Sequence, residues 1–281
     1  MNKIYNTGAK ESCRPSKTNI AWTNATFNPV WGCEKVSEAC KNCYAETISR
    51  SWGFGTKRPD LWKDGGGEDA SGKGWEVKNG RRVFGNQRWE QLLRWNKNAK
   101  LTGEKVLVFA GSMCDVFEDH STTAEELEKL WGYIKKTPNL TYQLLTKRPE
   151  NILGKLPSDW ANYKNGYSNV WLGTTVENQN RAWRFNEFLA DIPASVRFVS
   201  YEPALGAIDL RWGELDWLIA GGESGVKRRP FDYGWARDVH EKCKSNKVAF
   251  FYKQDTAFRS STNPYLDGKK YYEWPDPRVL H

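Results

Sequence analysis

Short apolar runs alternate with amphipathic stretches along most of this chain. Runs typical of buried strands occupy residues 105–110, 141–146, 170–174, 196–200, 216–220 and 248–252. An earlier run of β-branched and aromatic residues, 20–28, ends before Pro29 and predicts a first strand. Apolar residues at helical spacing predict a helix over 88–96, before these later runs begin. They predict further helices over 123–136, 180–190 and 233–244, between the runs. Apolar strands that alternate with helices indicate a parallel sheet buried on both faces.

The number and order of these elements predict an α/β fold. Seven strands with intervening helices match a partial or nearly complete parallel β/α barrel, and an open doubly wound sheet is the alternative. We expect the barrel domain over residues 21–255. A polar N-terminal extension would occupy residues 1–20, and a C-terminal tail residues 256–281.

The strand and helix pattern is interrupted at residues 52–82. This segment is rich in Gly, Asp, Lys and Trp, and it predicts an inserted loop or lid in which Trp62 and Trp75 lie over the site. Its Gly67 to Gly74 stretch resembles a phosphate-binding P-loop. We exclude a P-loop because no apolar strand precedes the stretch and no Ser or Thr follows the lysine.

Three cysteines stand close together after the first predicted strand and before a short helix predicted to begin at Tyr44. Cys33, Cys40 and Cys43 are spaced C-x6-C-x2-C, which is a spacing of metal ligands. Clustered thiolates bind zinc or iron–sulfur clusters, but a closed zinc site needs a fourth ligand that this segment does not contain. Three ligands would leave one iron of a four-iron cluster open. A zinc site completed by a distant residue and free buried thiols are the alternatives.

The residues around these cysteines resemble a known signature. The segment is similar to the N-P-x-x-G-C-x-x-x-C-x-x-C-Y-A motif of the spore photoproduct lyase-like branch of the radical SAM superfamily. It departs from that motif in two ways: the first gap is three residues longer, and Asn42 stands where an aromatic residue is usual. The matching residues are Asn28, Pro29, Gly32, Cys33, Cys40, Cys43, Tyr44 and Ala45.

Two other parts of the chain carry resemblances. Gly111 to Asp115 and Leu145 to Lys147 resemble the signatures that follow the second and third strands in the same branch. Further along, Ser200 to Pro203, Gly221 to Gly225 and Phe251 to Gln254 look like a phage-associated family of unknown function with an N-terminal three-cysteine motif. The second resemblance runs nearly from end to end.

The radical SAM resemblance implies a β/α barrel and a specific chemistry. Cys33, Cys40 and Cys43 would bind a 4Fe-4S cluster, and its open iron would bind S-adenosyl-L-methionine. Reduction by an external electron donor would cleave this cofactor to a 5′-deoxyadenosyl radical, which removes hydrogen from an unactivated carbon. A partner protein that delivers the substrate is a further possibility.

Polar residues follow six of the predicted strands, where the chemistry of β/α folds takes place. The candidates for cofactor binding are Tyr44, Gly111, Ser112, Asp115, Glu177, Glu202 and Glu223. The candidates for binding substrate phosphates are Lys147, Arg148, Arg228, Arg229 and Lys253. The run Lys227 to Arg229 is alternatively a solvated group of charges. Cys114 is the candidate catalytic thiol, which could return a hydrogen atom, and an inert buried thiol is the alternative.

Composition indicates which class of partner and which compartment to expect. The formal charge is +8, from 42 Lys and Arg against 34 Asp and Glu, and the chain has 15 Trp and 12 Tyr. Basic charge with aromatic residues favours a nucleic acid or nucleotide as substrate or partner. The absence of a long apolar run excludes a membrane span, and neither a secretion signal nor a disulfide pattern is recognisable. We therefore expect a cytoplasmic protein.

Two other functional classes remain as alternatives at this point. One is a nucleic-acid-binding protein whose cysteines hold a structural metal, either zinc or an iron–sulfur cluster, without radical chemistry. The other is a hydrolase that uses the carboxylates at the strand ends. With three histidines in the chain, one of them His281, a triad based on histidine is not recognisable.

Overall fold

The computed structural model describes residues 15, 18–49, 75–78, 80–259 and 262–276, and for Ser49 and residues 75–78 it describes the backbone alone. The strands are β1 (Ala25–Phe27), β2 (Val30–Trp31), β3 (Trp75–Lys78), β4 (Arg81–Phe84), β5 (Val106–Ala110), β6 (Leu140–Thr146), β7 (Val170–Thr175), β8 (Arg197–Tyr201), β9 (Trp217–Gly221) and β10 (Ala249–Gln254). The helices are α1 (Tyr44–Ser49), α2 (Asn86–Thr102), α3 (Ser121–Lys136) and α4 (Tyr233–Asn246).

The main sheet is a curled half-barrel of seven parallel strands. Its order is β1-β5-β6-β7-β8-β9-β10, so each strand pairs with the next one of this sheet along the chain. A doubly wound sheet reverses its order at a switch point, and this sheet has no reversal. The prediction of a partial β/α barrel is therefore confirmed, and the doubly wound alternative is wrong.

The two faces of the sheet are buried in different ways. On the outer face, apolar side chains of α2, α3 and α4 form one core with alternate strand residues such as Val108 and Leu144. The inner face packs mainly against itself. Aromatic rings fill the lower part of the half-barrel, and burying each large side chain contributes about 1.5–3 kcal/mol. These inner residues include Trp22, Phe109, Trp171, Phe198, Trp217 and Phe251.

A small antiparallel sheet lies in the part of the chain expected to be a loop. Strands β3 and β4 pair with each other, and β4 also pairs with β2, which directly precedes the cysteines. The description of residues 52–82 as a loop or lid is therefore wrong for 75–78 and 81–82. Residues 52–74, with Trp62, lie outside the described residues, as does the side chain of Trp75. The Asn79-Gly80 pair between the strands is a strong hairpin signal.

The predicted C-terminal tail packs against the sheet over much of its length. Tyr252 donates its backbone N–H to Tyr271 at 2.8 Å, and Phe251 bridges to Tyr272, with their rings stacked 4.4 Å apart. Residues near Tyr272 therefore cover the outer edge of β10, an edge that would otherwise leave backbone groups open to another chain. This part of the chain belongs to the folded domain.

Most predicted helices are confirmed, with boundaries shifted by up to six residues. The exception is 180–190, where the chain forms 3₁₀ turns around a π-helical turn, Arg184–Phe188. That turn carries Arg184, whose buried guanidinium donates to Glu177 Oε2 at 2.8 Å and to the Thr175 carbonyl at 3.0 Å. Within the described residues, no helix is both long enough and apolar enough to cross a membrane.

Candidate functional site

The cysteines lie on a loop that crosses the carboxyl-terminal edge of the half-barrel. We call residues 28–43 the cysteine loop. It contacts segments that follow four strands of the main sheet, which positions it over the mouth where the parallel strands end. These contacts are Gly32 to Met113 after β5, Glu34 to Arg148 after β6, Glu38 to Arg181 after β7 and Asn42 to Glu223 after β9.

The start of the cysteine loop is fixed to the turn that follows β5. Asn28 accepts the Met113 backbone N–H at 2.7 Å, and its side-chain amide donates to the Ser112 hydroxyl at 3.0 Å. Gly32 has φ +116°, a conformation that favours glycine, and it donates to the Met113 carbonyl at 3.1 Å. Asn28 and Gly32 of the signature therefore have clear positions in the fold, because they hold the loop against the sheet.

Cys33 lies beside a buried network of opposite charges. Arg148 Nη1 is 3.8 Å from Cys33 Sγ and donates to Asp115 Oδ2 at 3.0 Å. Its other terminal nitrogen donates to the Glu34 carbonyl at 2.9 Å and lies 3.6 Å from Glu118 Oε1. Burial and the two carboxylates raise the pKa of Cys33 to about 12, although Arg148 acts in the opposite direction. Binding a metal there would displace the thiol proton.

Cys40 has a different environment. Burial alone would raise its pKa, but Lys147 and the backbone N–H groups of Val36 and Ser37 outweigh burial, so the pKa is lowered. Cys43, like Cys33 and Cys40, is a half-buried free thiol, and it packs with the small cluster around Trp31. All three cysteines are thus partly exposed.

Tyr44 and Cys114 lie near each other beside the turn that follows β5. Tyr44 is 45% exposed and donates its hydroxyl to the Ser112 carbonyl at 2.6 Å. Burial raises the pKa of Tyr44 well above its usual value, with further contributions from Cys43, Glu202 and Cys114. Burial also raises the pKa of Cys114, and the neighbouring Cys33 adds to the effect.

An ion pair stands at the strand ends near Tyr44. Lys253 Nζ is 2.8 Å from Glu202 Oε1, and the Ser200 hydroxyl is 3.4 Å from Glu202 Oε2. These residues stand at the ends of β8 and β10. A Cβ atom added to Gly221 would meet Glu202 Oε1 at 2.9 Å, so the absence of a side chain at Gly221 makes room for the carboxylate. Glu202 and Lys253 thus offer one negative and one positive group close to Tyr44.

Glu223 fastens the end of the cysteine loop. Arg229 donates its backbone N–H and both Nε and Nη2 to this carboxylate, at 2.8, 3.0 and 2.6 Å. Asn42 donates to Glu223 Oε2 at 3.0 Å and to the Lys227 carbonyl at 2.9 Å. We call Asn42, Glu223 and Arg229 the clasp. It connects the segment between Cys40 and Cys43 with the loop that follows β9.

The candidates for cofactor binding therefore fall into two groups. Tyr44 and Glu202 lie near each other at the strand ends, with Gly111 and Ser112 in the turn that follows β5. Asp115, Glu177 and Glu223 have structural partners: Asp115 accepts from Phe117, Thr146, Lys147 and Arg148, Glu177 is fully buried and pairs with Arg184 through Oε2, and Glu223 belongs to the clasp.

The basic candidates also differ in their availability for phosphate. Arg148, Arg229 and Lys253 are each paired with a carboxylate. Lys147 is half-buried beside Cys40, and Arg228 is exposed. Three of the five candidates for phosphate binding therefore already have an anionic partner within the protein.

Two buried residues of the site were missed by sequence reasoning. Glu118 accepts the Glu34 backbone N–H at 2.7 Å, and Arg81 donates to both of its oxygens at 2.9 and 2.8 Å. Arg81 belongs to β4, so this pair connects the small sheet to the cysteine loop. Glu118 lies three residues beyond Asp115 and is nearly fully buried. No local motif marks either residue, because their importance comes from contacts between distant segments.

Three thiols on one loop are a donor set that both zinc sites and iron–sulfur clusters use. Within the part of the chain that the structure describes, no group of three Cys, His, Asp or Glu side chains stands close enough to hold one metal ion. The cations of Lys147 and Arg148 beside Cys40 and Cys33 would offset the negative charge of a cluster held by three thiolates.

Comparison with known proteins gives a family and no activity. No curated protein and no solved structure matches the chain. A family model described as a protein of unknown function, DUF5131, matches residues 17–275, which include the cysteine loop, the half-barrel and most of the C-terminal segment. Because this match spans nearly the whole chain, the protein belongs to the DUF5131 family.

Proposed function

We propose that this protein is a radical SAM-type iron–sulfur enzyme that modifies or repairs a nucleic acid or nucleotide. The proposal rests on one spatial arrangement: three thiols lie on a loop across the carboxyl-terminal mouth of a parallel half-barrel, close to Tyr44 and the turn that follows β5. The sequence resemblance adds to it, because the cysteines and Tyr44 match the signature of that superfamily.

The chain's own residues have distinct tasks in this proposal. Cys33, Cys40 and Cys43 would hold the 4Fe-4S cluster, with Arg148 and Lys147 offsetting its charge. Bound S-adenosyl-L-methionine, cleaved after reduction by an external electron donor, would supply a 5′-deoxyadenosyl radical. The aromatic side chains packed on the inner face would limit the entry of water beneath the site. Thiol ligands and an oxygen-sensitive cluster suit a reducing cytoplasm.

Among the three glutamates, Glu202 is the one that we assign to the cofactor. Its carboxylate lies at the end of β8 near Tyr44, and the amino group of S-adenosyl-L-methionine would bind it in place of, or beside, Lys253. Lys253 would then bind the cofactor's carboxylate or a substrate phosphate. Glu177 and Glu223 keep structural partners and are not needed for this role.

The test is anaerobic reconstitution with iron and sulfide. We expect a brown protein with about four irons per chain. Alanine at Cys33, Cys40 or Cys43 should abolish the visible absorbance, whereas Cys13→Ala and Cys243→Ala should preserve it. With dithionite and S-adenosyl-L-methionine, the holoprotein should release 5′-deoxyadenosine. Stoichiometric zinc without visible absorbance would refute the cluster, and a brown protein that does not cleave the cofactor would refute the radical chemistry.

One observation favours a second candidate, a structural metal site in a nucleic-acid-binding protein. The Cys33 thiol lies close enough to Cys114 to raise the pKa of Cys114, so a fourth sulfur is available near the cysteine loop. Four thiolates would close a zinc site or a cluster and leave no open position. Replacing Cys114 separates the two candidates, as described below.

A further inference from the structure

Two neighbouring loops present apolar side chains to solvent beside the cysteine loop. Val226, after β9, is 78% exposed, and Phe258, after β10, is 62% exposed. The loops are joined by a parallel bridge between Ser224 and Ala257, and Gly225 donates its N–H to the Ala257 carbonyl at 3.1 Å. Their exposed side chains therefore form one surface with a fixed backbone beneath it.

Cations surround these apolar side chains. We define the rim surface as Val226, Lys227, Arg228, Phe258 and Arg259, all of which are exposed. In the described part of the chain, the three cations of this surface take part in no ion pair. The nearest carboxylates along the chain are already occupied: Glu223 belongs to the clasp, Asp232 accepts the Gly234 backbone N–H, and Asp255 accepts from Tyr233 and Asn263. The positive charge of the rim surface is thus available to a ligand.

The rim surface adjoins the candidate site. Asn42, between two of the cysteines, donates to the backbone carbonyl of Lys227 at 2.9 Å. Lys41, the next residue toward Cys40, is exposed and adds another positive charge on the same side. A ligand bound to the rim surface would therefore lie next to the cysteine loop.

We propose that the rim surface binds single-stranded nucleic acid, with phosphates on Lys227, Arg228 and Arg259 and a base stacked on Phe258. Three cations from two loops fit several phosphates in a row better than the phosphate of one nucleotide. An exposed aromatic ring among cations is the arrangement by which proteins bind unpaired bases without sequence preference. In a duplex the base faces are covered, so Phe258 would add little. This inference rests on the proposed function and names its substrate as a strand.

The test measures fluorescence anisotropy with a labelled DNA or RNA strand of about 20 nucleotides and with the corresponding duplex. We expect the single strand to bind more tightly. Phe258→Ala should weaken its binding roughly tenfold, with little effect on the duplex. Phe258→Leu keeps apolar volume without the ring and should weaken binding similarly. The matched control is Tyr163→Ala, which removes another half-exposed aromatic residue.

The charged contribution is tested through salt dependence. Lys227→Ala/Arg228→Ala should reduce the slope of log affinity against log salt by about 1.4 for a single strand, from about 0.7 per lost phosphate contact. The control is Lys100→Ala/Lys164→Ala, which removes two exposed lysines from the segments that precede β5 and β7. Circular dichroism confirms that each variant is folded.

The outcomes separate this inference from the proposed function. If the protein forms the cluster and cleaves S-adenosyl-L-methionine but binds no strand, or if Phe258→Ala binds like the unmodified protein, the rim surface is not a nucleic-acid site. If polyglutamate displaces the strand at equal charge concentration and Phe258→Ala has no effect, the surface is a general docking site for acidic partners. If strands bind as expected but no cluster forms, only the proposed function fails.

Discussion

Asn42 Nδ2 lies 3.0 Å from Glu223 Oε2, although the two residues are 181 positions apart in the chain. Asn42 occupies the position where the radical SAM signature usually has an aromatic residue, and here its side chain connects the cysteine loop to the loop after β9. Arg229 holds the same carboxylate from the other side. The departure from the signature thus coincides with a specific polar anchor.

The first prediction concerns this anchor. Asn42→Ala removes two hydrogen bonds, one of them to a charged group, and should lower the free energy of unfolding by about 1–2 kcal/mol. In a chain of this size the thermal midpoint should fall by about 2–4 °C for each kcal/mol. Reconstituted Asn42→Ala should also lose iron to a chelator faster than the unmodified protein.

Asn246→Ala is the control for that prediction. The Asn246 side chain donates to the Lys242 carbonyl at 2.8 Å within α4, away from the cysteine loop. Its removal should leave iron loss unchanged. Equal rates of iron loss in both variants would show that the clasp does not position the ligands.

The second prediction concerns the buried cation beside Cys33. Arg148→Met leaves Asp115 without its ion-pair partner and removes a cation that lies 3.6 Å from Glu118 Oε1. Breaking a buried pair from one side costs about 3–5 kcal/mol, so we expect a large loss of stability in chemical denaturation. Arg237→Ala, which removes an ion pair with Asp267 at the surface, should change the unfolding midpoint little. Similar midpoints in the two variants would contradict the structural role of Arg148.

The third prediction uses Cys114 to separate the two candidate functions. If three cysteines hold the cluster, Cys114→Ser should retain about four irons and a brown colour. It should release 5′-deoxyadenosine but accumulate less modified product if the thiol returns a hydrogen atom. Loss of bound metal in Cys114→Ser would instead identify a site with four sulfur ligands and exclude the open iron.

The fourth prediction tests the packing of the half-barrel. A Cβ atom at Gly173, in β7, would lie 2.3 Å from the Phe198 ring. Gly173→Ala should therefore destabilise the fold by about 1–3 kcal/mol. Gly132 lies within α3 with no atom within 4 Å of an added Cβ, so Gly132→Ala should stabilise by roughly 0.5–1 kcal/mol. The pair is measured by urea denaturation, and effects of the same sign would refute this description of the core.

The seven strands were predictable because each is an apolar run bounded by polar residues. The order of the strands in the sheet was not predictable, since the same alternation of strands and helices is compatible with a half-barrel and with a doubly wound sheet. Residues 180–190 show another limit. Their apolar spacing is helical, but the chain there forms 3₁₀ and π-helical turns around the buried pair of Arg184 and Glu177, a tertiary contact that the local pattern does not contain.

The candidate site was likewise only partly predictable from the sequence. The spacing of the cysteines was sufficient to predict a shared loop at the strand ends, and the loop lies there. Which charged residues remain available depended on pairing across the sheet. Arg148 and Arg229 were predicted to bind phosphate, yet each is held by a carboxylate more than five residues away in the chain. Arg228, next to Arg229, remains exposed, and the sequence offered no means of telling the two apart.

The contact between Trp22 and Trp274 has a consequence for synthesis of the protein. Trp274 donates its indole N–H to the Trp22 carbonyl at 3.1 Å, and its ring packs against Phe251. Trp22 in turn contacts the rings of Phe109, Phe198 and Trp217. A ribosome-bound chain that has not yet released residues near 274 would expose part of this aromatic interior. Completion of the core must therefore wait until residues near 274 have left the ribosome, and until then the nascent chain is a suitable client for chaperones.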